Sequence, residues 1–206
     1  TASYGSLVPA ALGFARWSEA TTPTGTQDNS YFTYGASVDG NLVFEKAGRE
    51  GSLHALIPRA KLLVREPNTD PTVVKFDTPD STETDTVSQI FLDNPISGGD
   101  FVGDTRELAL SLTSRGRNAD GIETYRITAG RTLFLADRDV TLSDTPETSD
   151  QGPLVIESTV RLGEHTVWNT QYRTIADGDT MDTATNELKY RTSDTSYITN
   201  RVVWNA

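Results

Sequence analysis

No cysteine occurs among the 206 residues, which rules out a disulfide framework, a thiolate metal site and a cysteine nucleophile. A chain of this length buries about 70% of its unfolded surface on folding and needs no such staple. Histidine is almost as scarce: His54 and His165 are the only side chains that titrate unperturbed near neutrality. Long apolar runs are missing as well. Stretches such as Leu133-Phe134-Leu135-Ala136 and Leu154-Val155-Ile156 fall far short of the ~20 residues of a spanning helix, so no membrane span is expected. The start, Thr1–Ala15, is mildly apolar but lacks the positive beginning and compact apolar core of a signal peptide, and Thr at the first position suggests a removed Met or a leader already cut.

Positive charge is also in short supply. Asp and Glu number 29 against 18 Lys and Arg, a net charge of -11 that repels phosphate backbones and argues against direct nucleic acid binding. Lysine is limited to Lys46, Lys61, Lys75 and Lys189, while Asp outnumbers Glu and Thr is abundant. That balance suits an acidic protein of a salt-loving organism.

What is present is period-two alternation of β-branched and aromatic residues, broken by turn residues at short intervals. Asp39-Gly40 between Tyr31–Val38 and Asn41–Lys46 reads as a tight hairpin with Gly40 at positive φ, where Gly40→Val would cost roughly 1–2 kcal/mol. A second hairpin joins Glu107–Ser114 to Ile122–Ala129 through Arg117–Gly121. Further strands are predicted at Ala60–Glu66, Thr72–Asp77, Thr86–Leu92, Arg131–Ala136, Asp139–Leu142, Pro153–Leu162, His165–Ala176, Asn186–Thr192 and Tyr197–Trp204. With about ten to twelve strands and no helical crossovers, the expected fold is all-β, an antiparallel β-sandwich or jelly-roll barrel. Residues 1–206 are expected to form a single domain, with 1–30 as a candidate N-terminal arm.

No catalytic constellation can be assembled. Gly35-Ala36-Ser37-Val38-Asp39 lacks the second glycine of a nucleophile elbow, and Glu157 and Glu187 are members of a carboxylate pair only if the fold brings them together. The densest acidic run, Asp177-Gly178-Asp179-Thr180-Met181-Asp182, supplies weak metal candidates in Asp177, Asp179 and Asp182. It fails as an EF-hand, with Asp182 where glycine belongs and Leu188 where a bidentate glutamate should stand. Asp77–Asp85 reads as a hydrated loop. Gly98-Gly99-Asp100 lacks the lysine of a phosphate loop. Trp168 and Trp204 lie in alternating strands and read as core; Arg115, Arg117, Arg126 and Arg131 form the one notable basic patch. The chain is therefore expected to be no enzyme and to need no cofactor.

A Thr- and Asp-rich β-chain with long strands, polar loops and an apolar start resembles virion structural proteins, in particular the single jelly-roll capsid subunits of viruses of salt-loving archaea. The likeness covers composition and layout over the whole chain, and no motif transfers a residue role. It implies a self-assembling structural protein of the virion or extracellular surface whose partners are its own copies and other virion proteins. Thr1–Ala15 would then serve contacts between copies, and association would strengthen with salt. The alternatives are a tail-tube or decoration protein, a filament subunit assembling by strand donation, and a carbohydrate-binding β-sandwich module.

Overall fold

The alternation does produce strands, and they are longer than the turn signals suggest. In the computed structural model, which describes residues 2–22, 25–66, 86–94, 102–139, 141, 146–176, 178 and 180–206, nine strands are joined in chain order. They are β1 (Ala2–Thr22), β2 (Gly25–Ala47), β3 (Leu53–Arg65), β4 (Thr105–Arg117), β5 (Glu123–Phe134), β6 (Val155–Arg161), β7 (Thr166–Thr174), β8 (Met181–Arg191) and β9 (Tyr197–Asn205). The all-β antiparallel architecture expected from the alternation is present. Each strand pairs with its neighbours in sequence, so the described strands make one up-and-down meander in the order β1 to β9.

Because directly opposed residues point to the same side, the register sorts every side chain onto one of two faces. One face carries Pro58, Leu112, Ala129, Ile156, Tyr172, Ala184 and Trp204 in a single row across seven strands. Val38, Leu62 and Leu108 make up part of a parallel row on that side. This apolar face is open: Leu42 is 53% exposed and Leu112 48%. It is interrupted by Ser158, Thr170 and Asn186. The opposite face carries Lys61, Arg65, Glu107 and Arg173, and these charged residues are 4–9% exposed. The usual order of a globular protein, apolar within and charged without, is inverted.

The connections also alternate. At one end the strands are joined by short turns over 48–52, 118–122, 162–165 and 192–196; at the other lie two short connections, 23–24 and 175–180, and two long ones, 66–104 and 135–154. Three of these turns hold a positive-φ glycine, Gly51, Gly121 (φ 78°) and Gly163; at 118–122 Asn118 Oδ1 also accepts from the backbone N–H of Asp120 and Ile122, and at 192–196 Thr192 Oγ1 donates to Ser196 O. The hairpin expected at 107–129 is therefore present.

The one expected at Asp39-Gly40 is not. Gly40 lies inside the 23-residue β2, paired with Leu7 on one side and Ala60 on the other, and is absent from the positive-φ glycines. A Cβ there would meet Leu7 Cδ1 at 3.1 Å and Ser6 O at 3.3 Å, so crowding between strands replaces backbone strain as the reason for glycine. Thr1–Ala15 was expected to lack a sheet to join, yet β1 pairs with β2 from Ala2 to Thr22. Thr86–Leu92 is no strand; its Gln89–Phe91 turn is 3-10 helical. The strand expected at Thr72–Asp77 lies outside the described residues, as do Val140 and Leu142 of Asp139–Leu142.

Tyr125 and Gly116 face each other across β4 and β5. The ring lies over the glycine so closely that a Cβ at Gly116 would sit 2.4 Å from Tyr125 Cε1. Its hydroxyl is held by His54 Nδ1 at 3.2 Å. Aromatic cover of a strand glycine stabilises a pair that glycine alone would weaken. Gly116→Val is thus expected to destabilise the fold by about 1–3 kcal/mol through overpacking, read as a lower denaturant midpoint. Tyr125→Ala should lose stability as well. An unchanged midpoint for Gly116→Val would remove the ring-over-glycine contact.

Candidate functional site

The covered polar face is the part of the molecule with chemistry to offer. Its centre holds a row that runs Ala55, Arg115, Arg126, Thr159, Asn169, Glu187, Arg201 across β3 to β9. Neighbours in the row are tied together: Thr159 Oγ1 donates to Asn169 Oδ1 at 3.0 Å, and Asn169 Nδ2 donates to Glu187 Oε1 at 3.1 Å. Lys189 Nζ completes the set, 2.9 Å from the same Glu187 oxygen. Glu157, in the next row, faces Thr128 and Gln171. The two glutamates singled out by sequence, Glu157 and Glu187, therefore share a face on β6 and β8, separated by β7 and one row apart.

A segment of the 66–104 connection, Thr86–Asn94, folds back onto this face. Val87, Ile90 and Phe91 form the one buried apolar cluster among the described residues, against Ala109 of β4 and Val155 of β6. Gly130 leaves room for it, since a Cβ there would lie 3.0 Å from Val87 Cγ1 and 3.2 Å from Ile90 Cδ1. Burying three such side chains stabilises by about 1.5–3 kcal/mol each. The segment's backbone carbonyls are met by cations from β3. Lys61 Nζ donates to Phe91 O at 2.7 Å and lies 2.7 Å from Asp93 Oδ1. Arg65 donates to Gly103 O at 2.5 Å and also to Asp93 O. The Arg59 guanidinium sits 4.0 Å over the Phe91 ring while its Nε donates to Asp39 at 2.9 Å. Three carbonyls and the Asp93 carboxylate thus satisfy cations that would otherwise be costly to bury.

Other sequence candidates fall elsewhere. Asp177 and Asp179 lie outside the described residues, and Asp182 is ion-paired with Arg173. Asp77–Asp85 and Gly98-Gly99-Asp100 also lie outside them. His54 bonds Tyr125, and His165 Nδ1 lies 3.4 Å from Arg191 Nη2, so both histidines have local structural partners near the short-turn end. Trp168 and Trp204 are not core residues: they stand on the open apolar face, 42% and 48% exposed. The basic patch divides. Arg115 approaches Glu45 at 4.0 Å and Arg126 bonds Glu123 at 2.9 and 2.7 Å on the polar face. Arg131, near the other end, donates to Gln151 and to Gly178 O, both at 2.8 Å.

The family model described as LptD, LPS transport system D, matches residues 12–202. The chain belongs to the LPS transport system D family. Proteins named LPS-assembly protein LptD are similar to it: that of Pseudomonas fluorescens is 31% identical over 151 residues, covering 69% of this chain and 15% of the relative. That of Burkholderia thailandensis is 29% identical over 168 residues (76% and 21%), and that of Alcanivorax borkumensis 31% over 129 residues (60% and 17%). The chain spans about a fifth or less of the length of these relatives.

Membership of the LptD family corrects several expectations at once. The likeness to viral capsid subunits is overturned, and with it the reading as a self-assembling virion, tail-tube, filament or sugar-module protein. Partnership with its own copies and virion proteins falls with it, as does a virion or extracellular location. The expectation of no membrane span applied a rule for helices. No described helix is long and apolar enough to cross a membrane, but that rule does not test strands. The non-enzymatic expectation agrees with relatives named for assembly. The alternation read from the sequence, strand-length segments apolar on one side and polar on the other, is a pattern that β-sandwiches and membrane β-barrels share.

Lys61→Met keeps the stem and removes the donor to Phe91 O. The expected result is about tenfold faster hydrogen exchange at the Phe91 and Leu92 amides, whose partners are Ser88 O and Gln89 O, with the β3–β4 ladder unchanged. Equal exchange in the two proteins would show that Lys61 does not hold the segment.

Proposed function

We propose that the nine strands form part of the wall of an outer-membrane β-barrel that moves LPS, with the apolar face toward lipid and the polar face toward the lumen. The observation that carries this is the inversion of burial, with Lys61, Arg65, Glu107 and Arg173 covered while Leu42, Leu112 and Trp204 stand open. A sheet in water would lose free energy by that arrangement, whereas a sheet between lipid and a wet lumen gains by it. Dimensions agree. On β2 the aromatic residues Tyr34 and Phe44 bracket Ala36, Val38, Gly40 and Leu42. Ten residues span about 33 Å along a strand, or about 24 Å of depth at a ~45° tilt, close to the apolar band of such barrels. Short turns throughout one end, with both long connections at the other, follow the same layout.

The relatives' printed names supply the cargo. LPS joins acyl chains to a charged, sugar-bearing headgroup, and a wall with one apolar and one polar face offers each part a matching surface. The Thr86–Asn94 segment occupies the lumenal face in the form described, so passage of a headgroup requires it to shift.

Since the chain has no native cysteine, single cysteines can be spin-labelled one at a time in the membrane-inserted protein. Labels at Leu42, Leu112 and Leu188 should collide with lipid-dissolved oxygen, and labels at Thr113, Thr128 and Thr185 with an aqueous nickel complex. Accessibility that fails to alternate would reject the wall. Leu112→Arg should cost about 2–4 kcal/mol and Thr113→Arg far less, measured by denaturant unfolding from vesicles. Equal costs would also count against it.

A further inference from the structure

We propose that the open apolar face carries a seat for one acyl chain of an anionic phospholipid, with Arg131 at its headgroup end; this rests on the barrel-wall reading and adds a fixed lipid to the membrane side of the wall. The place is a concavity of about 610 Å³ that reaches from β1 to β5. Gly40, Pro58, Ala60 and Ala129 are the small residues in its lining, and Leu7, Leu42, Leu110 and Leu112 stand around them. All four leucines are exposed.

The register makes the hollow. One row of paired residues runs Leu7, Gly40, Ala60, Leu110, Arg131 across five strands, and the next runs Pro58, Leu112, Ala129. Small residues thus fall together on β2 and β3, beside a β4 that carries leucine in both rows. A Cβ at Gly40 would stand 3.1 Å from Leu7 Cδ1, so any larger residue there would push against Leu7 and fill the space.

Arg131 is the one charged member of its row, and it stands on the side that carries the leucines. Its Nη1 donates to Gln151 Oε1 and its Nη2 to Gly178 O, both at 2.8 Å. Those partners belong to the connections 135–154 and 175–180, so the stem lies in the apolar face while the charge turns toward the connection end of the sheet. Depth agrees with that direction. Gly40 lies near the middle of the Tyr34–Phe44 band, and three strand spacings, about 14 Å, separate β2 from β5. At a ~45° tilt the row climbs about 10 Å over that distance, which brings Arg131 to the edge of an apolar band whose half-height is about 12 Å. The row therefore leads from the middle of the membrane to its surface, the course of an acyl chain below its headgroup.

Width and charge select the occupant. The two rows lie about 7 Å apart along a strand, room for a single chain, and one guanidinium stands at the rim. That matches a lipid with two chains and one phosphate better than a glycolipid with many chains. A guanidinium has five donors, so phosphate oxygens can join Gln151 and Gly178 as its acceptors.

The test counts lipid retained by the membrane protein in detergent, using native mass spectrometry with phosphatidylglycerol, phosphatidylcholine of the same chains, and LPS. One phosphatidylglycerol is expected to be held about tenfold more tightly than phosphatidylcholine, a difference of about 1.4 kcal/mol. Arg131→Gln should erase that preference, and Arg131→Lys should keep most of it because the charge remains. Ala60→Leu, which fills the hollow, should weaken both phospholipids about tenfold with circular dichroism unchanged; if that variant does not fold, the two Arg131 variants decide. The proposal is overturned by equal retention of the two phospholipids, by a preference that survives Arg131→Gln, or by Arg131→Lys losing as much as Arg131→Gln. It also falls if folded Ala60→Leu holds lipid as the parent does, or if LPS is held more tightly than phosphatidylglycerol. The wall is tested separately: labels that alternate between lipid and water while no phospholipid is retained leave the wall standing and remove the seat.

Discussion

An unbroken antiparallel register from β1 to β9 is the constraint on which the rest depends. Its period is two, so once each strand is locked to the next, every side chain is assigned to a face, and a one-residue slip in any strand would exchange the faces beyond it. The charged row on one side and the apolar row on the other are consequences of the same hydrogen bonds. They also explain why the sheet has so little core of its own. The buried apolar cluster amounts to Val87, Ile90 and Phe91 against Ala109 and Val155. The apolar rows find no cover within the described residues, and the ladder alone does not compensate for that exposure in water. A lipid phase in contact with the open face removes the deficit.

The charge of the chain has a topological explanation. The connections 66–104 and 135–154 hold 14 of the 29 acidic residues and only Lys75 and Arg138 of the 18 basic ones; the remainder, 15 acidic and 16 basic, nearly cancel. Net acidity therefore belongs to the long connections at one end of the sheet, and the strands and short turns are close to neutral. A whole-chain average of -11 was consistent with a salt-tolerant acidic surface because averaging hides this division. The mean hydropathy of -0.43 is misleading for the same reason. Polar connections and a polar face dilute an apolar face that would otherwise mark a membrane protein.

Much of the fold was legible. The hairpin from Glu107 to Ala129, the strand at Pro153–Leu162 and the closing strand to Trp204 follow from alternation and from turn residues that do turn, Gly121 above all. Asp39-Gly40 misled because its local chemistry suits a turn, whereas strands on both sides of β2 hold the backbone extended through it. Val87, Ile90 and Phe91 misled in the other direction: their apolar character is that of a strand, but it serves a single 3-10 turn pressed onto a sheet. The faces themselves could be read from Leu108, Leu110 and Leu112 against Glu107, Ala109 and Ser111. Which face is covered could not, since alternation is the same whether the apolar side meets a core or a bilayer. The polar row of Thr128, Glu157, Gln171 and Thr185 was hidden for a related reason: its members lie up to 57 positions apart and meet only through three successive registers.

The covered cations show how one wall can be both firm and yielding. Lys61 and Arg65 direct their backbone-bound hydrogen bonds to carbonyls of the 66–104 connection, at Phe91, Asp93 and Gly103. Water could take the place of each of those carbonyls, so exchanging one for the other changes the free energy by only about 0.5–1.5 kcal/mol per hydrogen bond. With the open face toward lipid, as proposed, the ladder bonds would have no such substitute on that side, where an unpaired N–H or C=O costs several kcal/mol. Displacing Thr86–Asn94 then exposes a small apolar cluster and rehydrates a few cations, while separating any two strands breaks a row of bonds with nothing to replace them. The free-energy scale for uncovering the polar face is set by the first process and that for losing the sheet by the second, and the difference between them lets a segment move over a sheet whose strands stay paired.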